Sequence, residues 1–175
     1  LALQCGKDLT KLDLSGLQKL DNEKLNTLKE KCPNLQSLNL SNTTITTLIL
    51  PEGLKELYLS NCPNLRAQEF AKLASFDKLE KLALSETNIE TLDSPPKSLI
   101  ELDLRQCKSL TAQEFAKLSS FSKLEKLVVT ETYIATLDSP TQSLKELDLR
   151  GCTSLPAQEF AKLASFSKLE KLAVS

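Results

Sequence analysis

One spacing governs what this chain can become: LxxLxL recurs along its whole length, starting at Leu9, Leu35, Leu54, Leu79, Leu99, Leu124, Leu144 and Leu169. Alternate starts at 9, 54, 99 and 144 are 45 residues apart, and the text around the last three is nearly the same. In an extended strand successive side chains face opposite ways, so the leucines of LxL share one face and the residues between them share the other. A single such strand cannot bury its leucines. Parallel copies stacked in register can, because each covers its neighbour, and the chain must then return outside the strand layer between copies.

Each 45-residue copy divides into a long and a short return. The long half, as in LKELYLSNCPNLRAQEFAKLASFDK from Leu54, has helix character over Ala67 to Phe76, with Phe70 and Leu73 able to share a face. Thr111 followed by Glu114 predicts a capping box, and Pro156 sits near the start of the last such segment, where its missing N–H costs nothing. The short half carries TxIxTL, from Thr87 and from Thr132, then an Asp-Ser-Pro turn. It is too short for a good helix and reads as extended or as one tight turn.

These residues resemble the leucine-rich repeat family over essentially the whole chain. LDLRQCKSLTAQEFAKL from Leu102 and EKCPNLQSLNL from Glu30 look like the cysteine-containing class of F-box substrate receptors. The short halves look more like the repeats of secreted bacterial effectors, with Thr43, Thr87 and Thr132 where many repeats place Asn. The resemblance implies an α/β fold: a right-handed solenoid with a concave parallel sheet of about eight strands and convex helices in alternate repeats. It also implies protein–protein recognition, usually on the concave face. Residues 1–175 are expected to form one array. Because the text starts and stops in mid-pattern, the array is expected to be a piece of a longer one.

Several function classes lose support at this stage. Lys plus Arg is 22 and Asp plus Glu 23, a net charge of −1, which supplies no basic field for nucleic acid or an anionic membrane. No apolar run reaches the roughly 20 residues of a membrane helix, and Leu1 to Asp8 do not read as a signal peptide. His is absent, which removes the commonest general base, and the 4 glycines make no phosphate loop. Neither enzyme nor cofactor is read from the sequence.

The 5 cysteines, Cys5, Cys32, Cys62, Cys107 and Cys152, do not look like a disulfide framework and favour a reducing compartment. Cys62, Cys107 and Cys152 recur on alternate strands. At about 4.8 Å per strand they stand about 10 Å apart, beyond disulfide reach and without zinc-site spacing. They are expected to be buried and structural. Cys32 matches Phe76, Phe121 and Phe166 in later copies, which marks a packing position. The Asn-Thr-Thr sequon at Asn42 is short enough to arise by chance.

The third, fifth and seventh residues of each repeat should line the concave face. Third positions run Lys11, Ser37, Glu56, Lys81, Glu101, Lys126, Glu146, Lys171, alternating in sign from Glu56 onward. Fifth and seventh positions include Tyr58, the pair Asp103 and Arg105, and the pair Asp148 and Arg150. Tyr and Arg carry interface energy when a partner buries them. Tyr58, Arg105 and Arg150 are therefore the leading candidates for a protein ligand, with Glu56, Asn61, Asp103 and Asp148 around them. The near-identity of the last copies points also to a second reading, a structural or adhesive spacer on a surface or secreted protein. The last strand, Leu169 to Ser175, is expected to expose Leu169, Leu172 and Val174 and to contact another chain end to end.

Overall fold

The computed structural model describes residues 6–93, 96–138 and 141–175. Eight strands of three residues each form one parallel sheet in sequence order: β1 Lys11–Asp13, β2 Ser37–Asn39, β3 Glu56–Tyr58, β4 Lys81–Ala83, β5 Glu101–Asp103, β6 Lys126–Val128, β7 Glu146–Asp148 and β8 Lys171–Ala173. The register never slips. Lys11 pairs Ser37, Glu56 pairs Lys81, and Glu146 pairs Lys171, so equal positions of every repeat stand side by side. The sheet and its returns form the leucine-rich repeat solenoid expected from the spacing, with one sheet face open.

Counting the first leucine of a repeat as position one, positions one, four and six are buried in the six inner repeats, among them Leu35, Leu38, Leu40, Leu54, Leu57 and Leu59. They join a single apolar core with Ile45, Ile89 and Ile134 from the short halves and Phe70, Phe115, Phe76 and Phe121 from the long ones. A Leu-rich core of this kind is favoured by the ~25 cal/mol removed per Å² of apolar surface taken out of water.

The long returns differ from the sequence expectation in an instructive way. The first is a true α-helix, α1 Asn22–Lys31, capped by Asp21, whose carboxylate accepts the Lys24 N–H at 2.9 Å. The equivalent segments Ala67–Ser75 and Ala157–Ser165 are 3₁₀-helices, and the third is a short α2, Ala112–Ala116, running into a 3₁₀ turn at Lys117–Ser120. Apolar spacing separates the first return from the other three. Leu25, Leu28 and Cys32 fall at intervals of three and four, which suits 3.6 residues per turn. Phe70, Leu73 and Phe76 fall at three and three, as do Phe115, Leu118 and Phe121, a spacing that a 3₁₀ turn eclipses on one side, and all three later returns contain 3₁₀ helix. The first long half also has one more residue than the others, 35 − 9 = 26 against 79 − 54 = 25.

The capping box expected at Thr111 does not form. Thr111 makes no side-chain cap, and Glu114 instead reaches into the preceding repeat to accept the Leu92 N–H at 2.8 Å. Glu69 and Glu159 do the same for Leu48 at 2.9 Å and Leu137 at 2.8 Å. Lys72, Lys117 and Lys162 neutralise these carboxylates from one turn on, each at 2.7 Å. Each glutamate therefore ties the irregular short half of one repeat to the long half of the next. Burial raises the Glu69 and Glu114 pKa values, but the lysine and the backbone N–H more than offset it, so both lie below the usual value. For Glu159, Lys162 is the main cause of the same lowering.

Position nine forms a ladder in which threonine and cysteine alternate. Thr43, Thr87 and Thr132 are buried and donate to the carbonyls of Leu40, Leu84 and Val129 at 2.7, 2.6 and 2.6 Å. The thiols of Cys62, Cys107 and Cys152 approach the same three carbonyls from the next repeat, at 3.3, 3.0 and 3.0 Å. These three cysteines are free and buried, as expected. Cys32 requires a correction. It is fully buried like the phenylalanines that replace it, but it is disulfide-bonded rather than a packing thiol. It stands at the end of α1, outside the ladder whose strand spacing keeps the other cysteines apart. Cys5 lies outside the described residues.

Candidate functional site

The open face is built from positions three, five and seven, since the residues between them carry the leucines inward. Its central part is a depression of about 620 Å³ spanning β3 to β7. Tyr58, Asp103, Arg105, Asp148 and Arg150 all line it. The other two candidates do not. Glu56 is held beside the rim, accepting from Ser37 Oγ at 2.7 Å and from Tyr58 Oη at 3.4 Å. Asn61 sits one step past the seventh position in a left-handed turn, φ 52°, and its amide donates to Asn42 Oδ1 at 2.9 Å.

Every candidate in the depression is already paired within the chain. Arg105 bonds Asp103 at 2.7 Å and Arg150 bonds Asp148 at 2.6 Å. The Asp103 carboxylate raises the Arg105 pKa, and the Arg150 guanidinium holds Asp148 below the usual carboxylate range. Lys81 Nζ lies 5.8 Å from the centre of the Tyr58 ring, within cation–π range, and bonds Glu101 at 3.0 Å. Burial raises the Tyr58 hydroxyl, with Lys81 pulling the other way. The sign alternation at position three is realised as ion pairs between strands, Lys126 with Glu146 at 3.4 Å and Lys171 with Glu146 at 2.5 Å. Exposed pairs of this kind contribute about 0–1 kcal/mol each, so their main effect is to leave the face with little net field.

The floor of the depression was not singled out by sequence. Ala83 and Ser85 on the β4 repeat, and Val128 on β6, lie between the paired ridges, and Glu86 closes one edge. The signal was present: from β3 onward position five alternates a large or charged residue with a small apolar one, and from β5 onward position seven alternates Arg with Thr or Ser. Row composition shows this only when the parallel register is known, because the ridge and floor residues are some 20 to 25 apart in sequence. At the far end of the sheet Leu172 and Val174 are exposed and Leu169 is partly buried, close to the expectation for that strand.

Comparison with known proteins matches this geometry. The family model described as Leucine Rich Repeat matches residues 34–54. An 86-residue stretch is 33% identical to F-box/LRR-repeat protein 4 of Bos taurus, covering 49% of this chain and 11% of that protein. Among solved structures, an internalin (InlF) of Listeria monocytogenes superimposes with a TM-score of 0.76 at 23% identity, over 96% of this chain and 48% of that one. The functional domain of InlJ from Listeria monocytogenes, which includes a cysteine ladder, gives 0.58 at 18% identity over 95% of this chain and 39% of that one. The chain thus spans less than half of these structures and about a tenth of the curated relative.

Proposed function

From the premise that this chain is an array of leucine-rich repeats, we propose that it is a non-catalytic scaffold that binds a partner protein on the open sheet face. The observation that carries this reading is the depression on that face, in which aromatic, guanidinium and small apolar side chains stand together on a rigid parallel sheet. Residues fixed by an in-register sheet lose little freedom on binding, so less of the contact energy is spent on ordering. Tyr58, Arg105 and Arg150 are the anchors, and Ala83 and Val128 supply the surface that a partner dries.

A photo-crosslinking residue placed at Val128, in cells that make the protein, should give a discrete adduct. The same residue at Gln113, exposed on the convex-side helix α2, should not. Arg105→Glu should weaken the captured partner by more than ~1 kcal/mol without unfolding the chain. Adducts from the convex position alone would overturn the reading. The near-identity of the β5–β6 and β7–β8 pairs keeps a spacer as the second reading. Deleting residues 99–143 discriminates: a spacer stays functional with shorter reach, and a receptor loses its partner.

A further inference from the structure

We propose that the occupant of the open face is an extended polypeptide in the polyproline II conformation, running across the strands with a small apolar side chain at every third residue. This rests on the reading of that face as a protein-binding surface and specifies the partner's chemistry.

The face is corrugated. Ridges stand on β3 (Tyr58 with Lys81 over its ring), on β5 (Asp103 with Arg105) and on β7 (Asp148 with Arg150). Floors lie between them on β4 (Ala83, with buried Ser85) and β6 (Val128, with buried Thr130), and Ala173 repeats the floor on β8. Consecutive floors are two strands apart, which at about 4.8 Å per strand is about 9.6 Å. A polyproline II helix has three residues per turn at about 3.1 Å each, so it presents the same side every ~9.3 Å. An α-helix returns to the same side after seven residues, ~10.5 Å. A β-strand does so at even steps, ~6.6 or ~13 Å, and misses the floors. Over three floors the polyproline II phase drifts by about 0.6 Å and the α-helix by about 1.8 Å. On the inside of a curved sheet, spacing above the floor contracts, which increases the α-helix mismatch.

Charge points the same way. The ridge cations and anions are already paired, so a charged partner would have to break pairs that the face has made for itself. An uncharged chain need not. The backbone carbonyls of a polyproline II segment make no internal hydrogen bonds and are open to donors. The Arg105 and Arg150 side chains, 53% and 61% exposed, can offer donors beyond those used on their aspartates.

The test is an NMR titration of the isotope-labelled chain with three capped peptides. One has four Val-Pro-Pro units, one has the same composition with its valines adjacent, and one is an Ala-based helix with Val every seventh residue. The first should shift the Ala83 and Val128 amides saturably, binding about tenfold tighter than the second. Val128→Arg and, independently, Ala83→Lys should abolish these shifts while the circular dichroism spectrum is retained. Equal binding of the clustered peptide overturns the proposal. So does tighter binding of the helix on this face, which would leave the broader reading standing. If none of the three moves these amides, the inference fails here, and photo-crosslinking at Val128 decides the broader reading separately.

Discussion

At the eighth position of each of the first seven repeats the backbone turns through the left-handed region, at Gly16, Asn42, Asn61, Glu86, Gln106, Glu131 and Gly151. Each of the first six donates its N–H to the seventh-position carbonyl of the next repeat, as Glu86 does to Arg105 at 2.8 Å. The conformation is imposed by this ladder, because Glu and Gln do not choose it and pay roughly 1–2 kcal/mol for it. Gly151→Ala should therefore destabilise the chain by about 1 kcal/mol or more in urea denaturation. Its φ is +69°, and an added Cβ would lie 2.9 Å from Glu131 Cγ. Glu86→Gly should be neutral or stabilising, since relief of the backbone offsets the entropy of glycine. The ladder thiols offer a second check. Burial pushes Cys107 up to about 11 and raises Cys62 and Cys152 as well, so each is protonated at neutral pH. A thiol-disulfide reagent should label them only as fast as the chain opens, and quickly in denaturant.

Between elements, the glutamates of the long halves are the joints that a periodicity argument does not see. Glu114→Ala leaves the Leu92 N–H without its acceptor and should cost about 1–3 kcal/mol, while Glu114→Gln keeps an acceptor and should cost less. The pH dependence has a definite sign. The folded pKa values of Glu69, Glu114 and Glu159 lie below the ordinary 4.5. Their contribution is complete above that value and is lost as pH falls through the depressed folded values, because protonation then favours the unfolded chain. Thermal unfolding should show the melting temperature falling below pH 4.5 in the wild type and falling less steeply in Glu114→Gln.

For the molecule as a whole, stability is a sum over neighbours, since β1 to β8 contact only the strands beside them. Position in the stack should therefore matter more than residue type. Leu102→Ala on β5 should cost about 2–5 kcal/mol, whereas Leu172→Ala on β8, where the leucine is 42% exposed, should cost far less by the same denaturation measurement. The same additivity makes the open face a repeating surface, which suits an occupant with a matching repeat.

The leucine spacing alone determined the stacking of eight parallel strands, their register and the identity of the outward rows, because a period of two on a strand leaves one way to bury LxL. It also placed Tyr58, Arg105 and Arg150 on one face. Tertiary structure decided the rest. That Lys81 covers Tyr58 and that Ala83 and Val128 form floors between ridges are facts about strands brought together from 20 or more residues away, whereas the pairing of Asp103 with Arg105 and of Asp148 with Arg150 is local, two residues apart and legible in the sequence. The choice of Leu92 over a capping box for Glu114 was likewise settled by contact with the adjoining repeat, where an unpaired backbone N–H outweighs local helix preference.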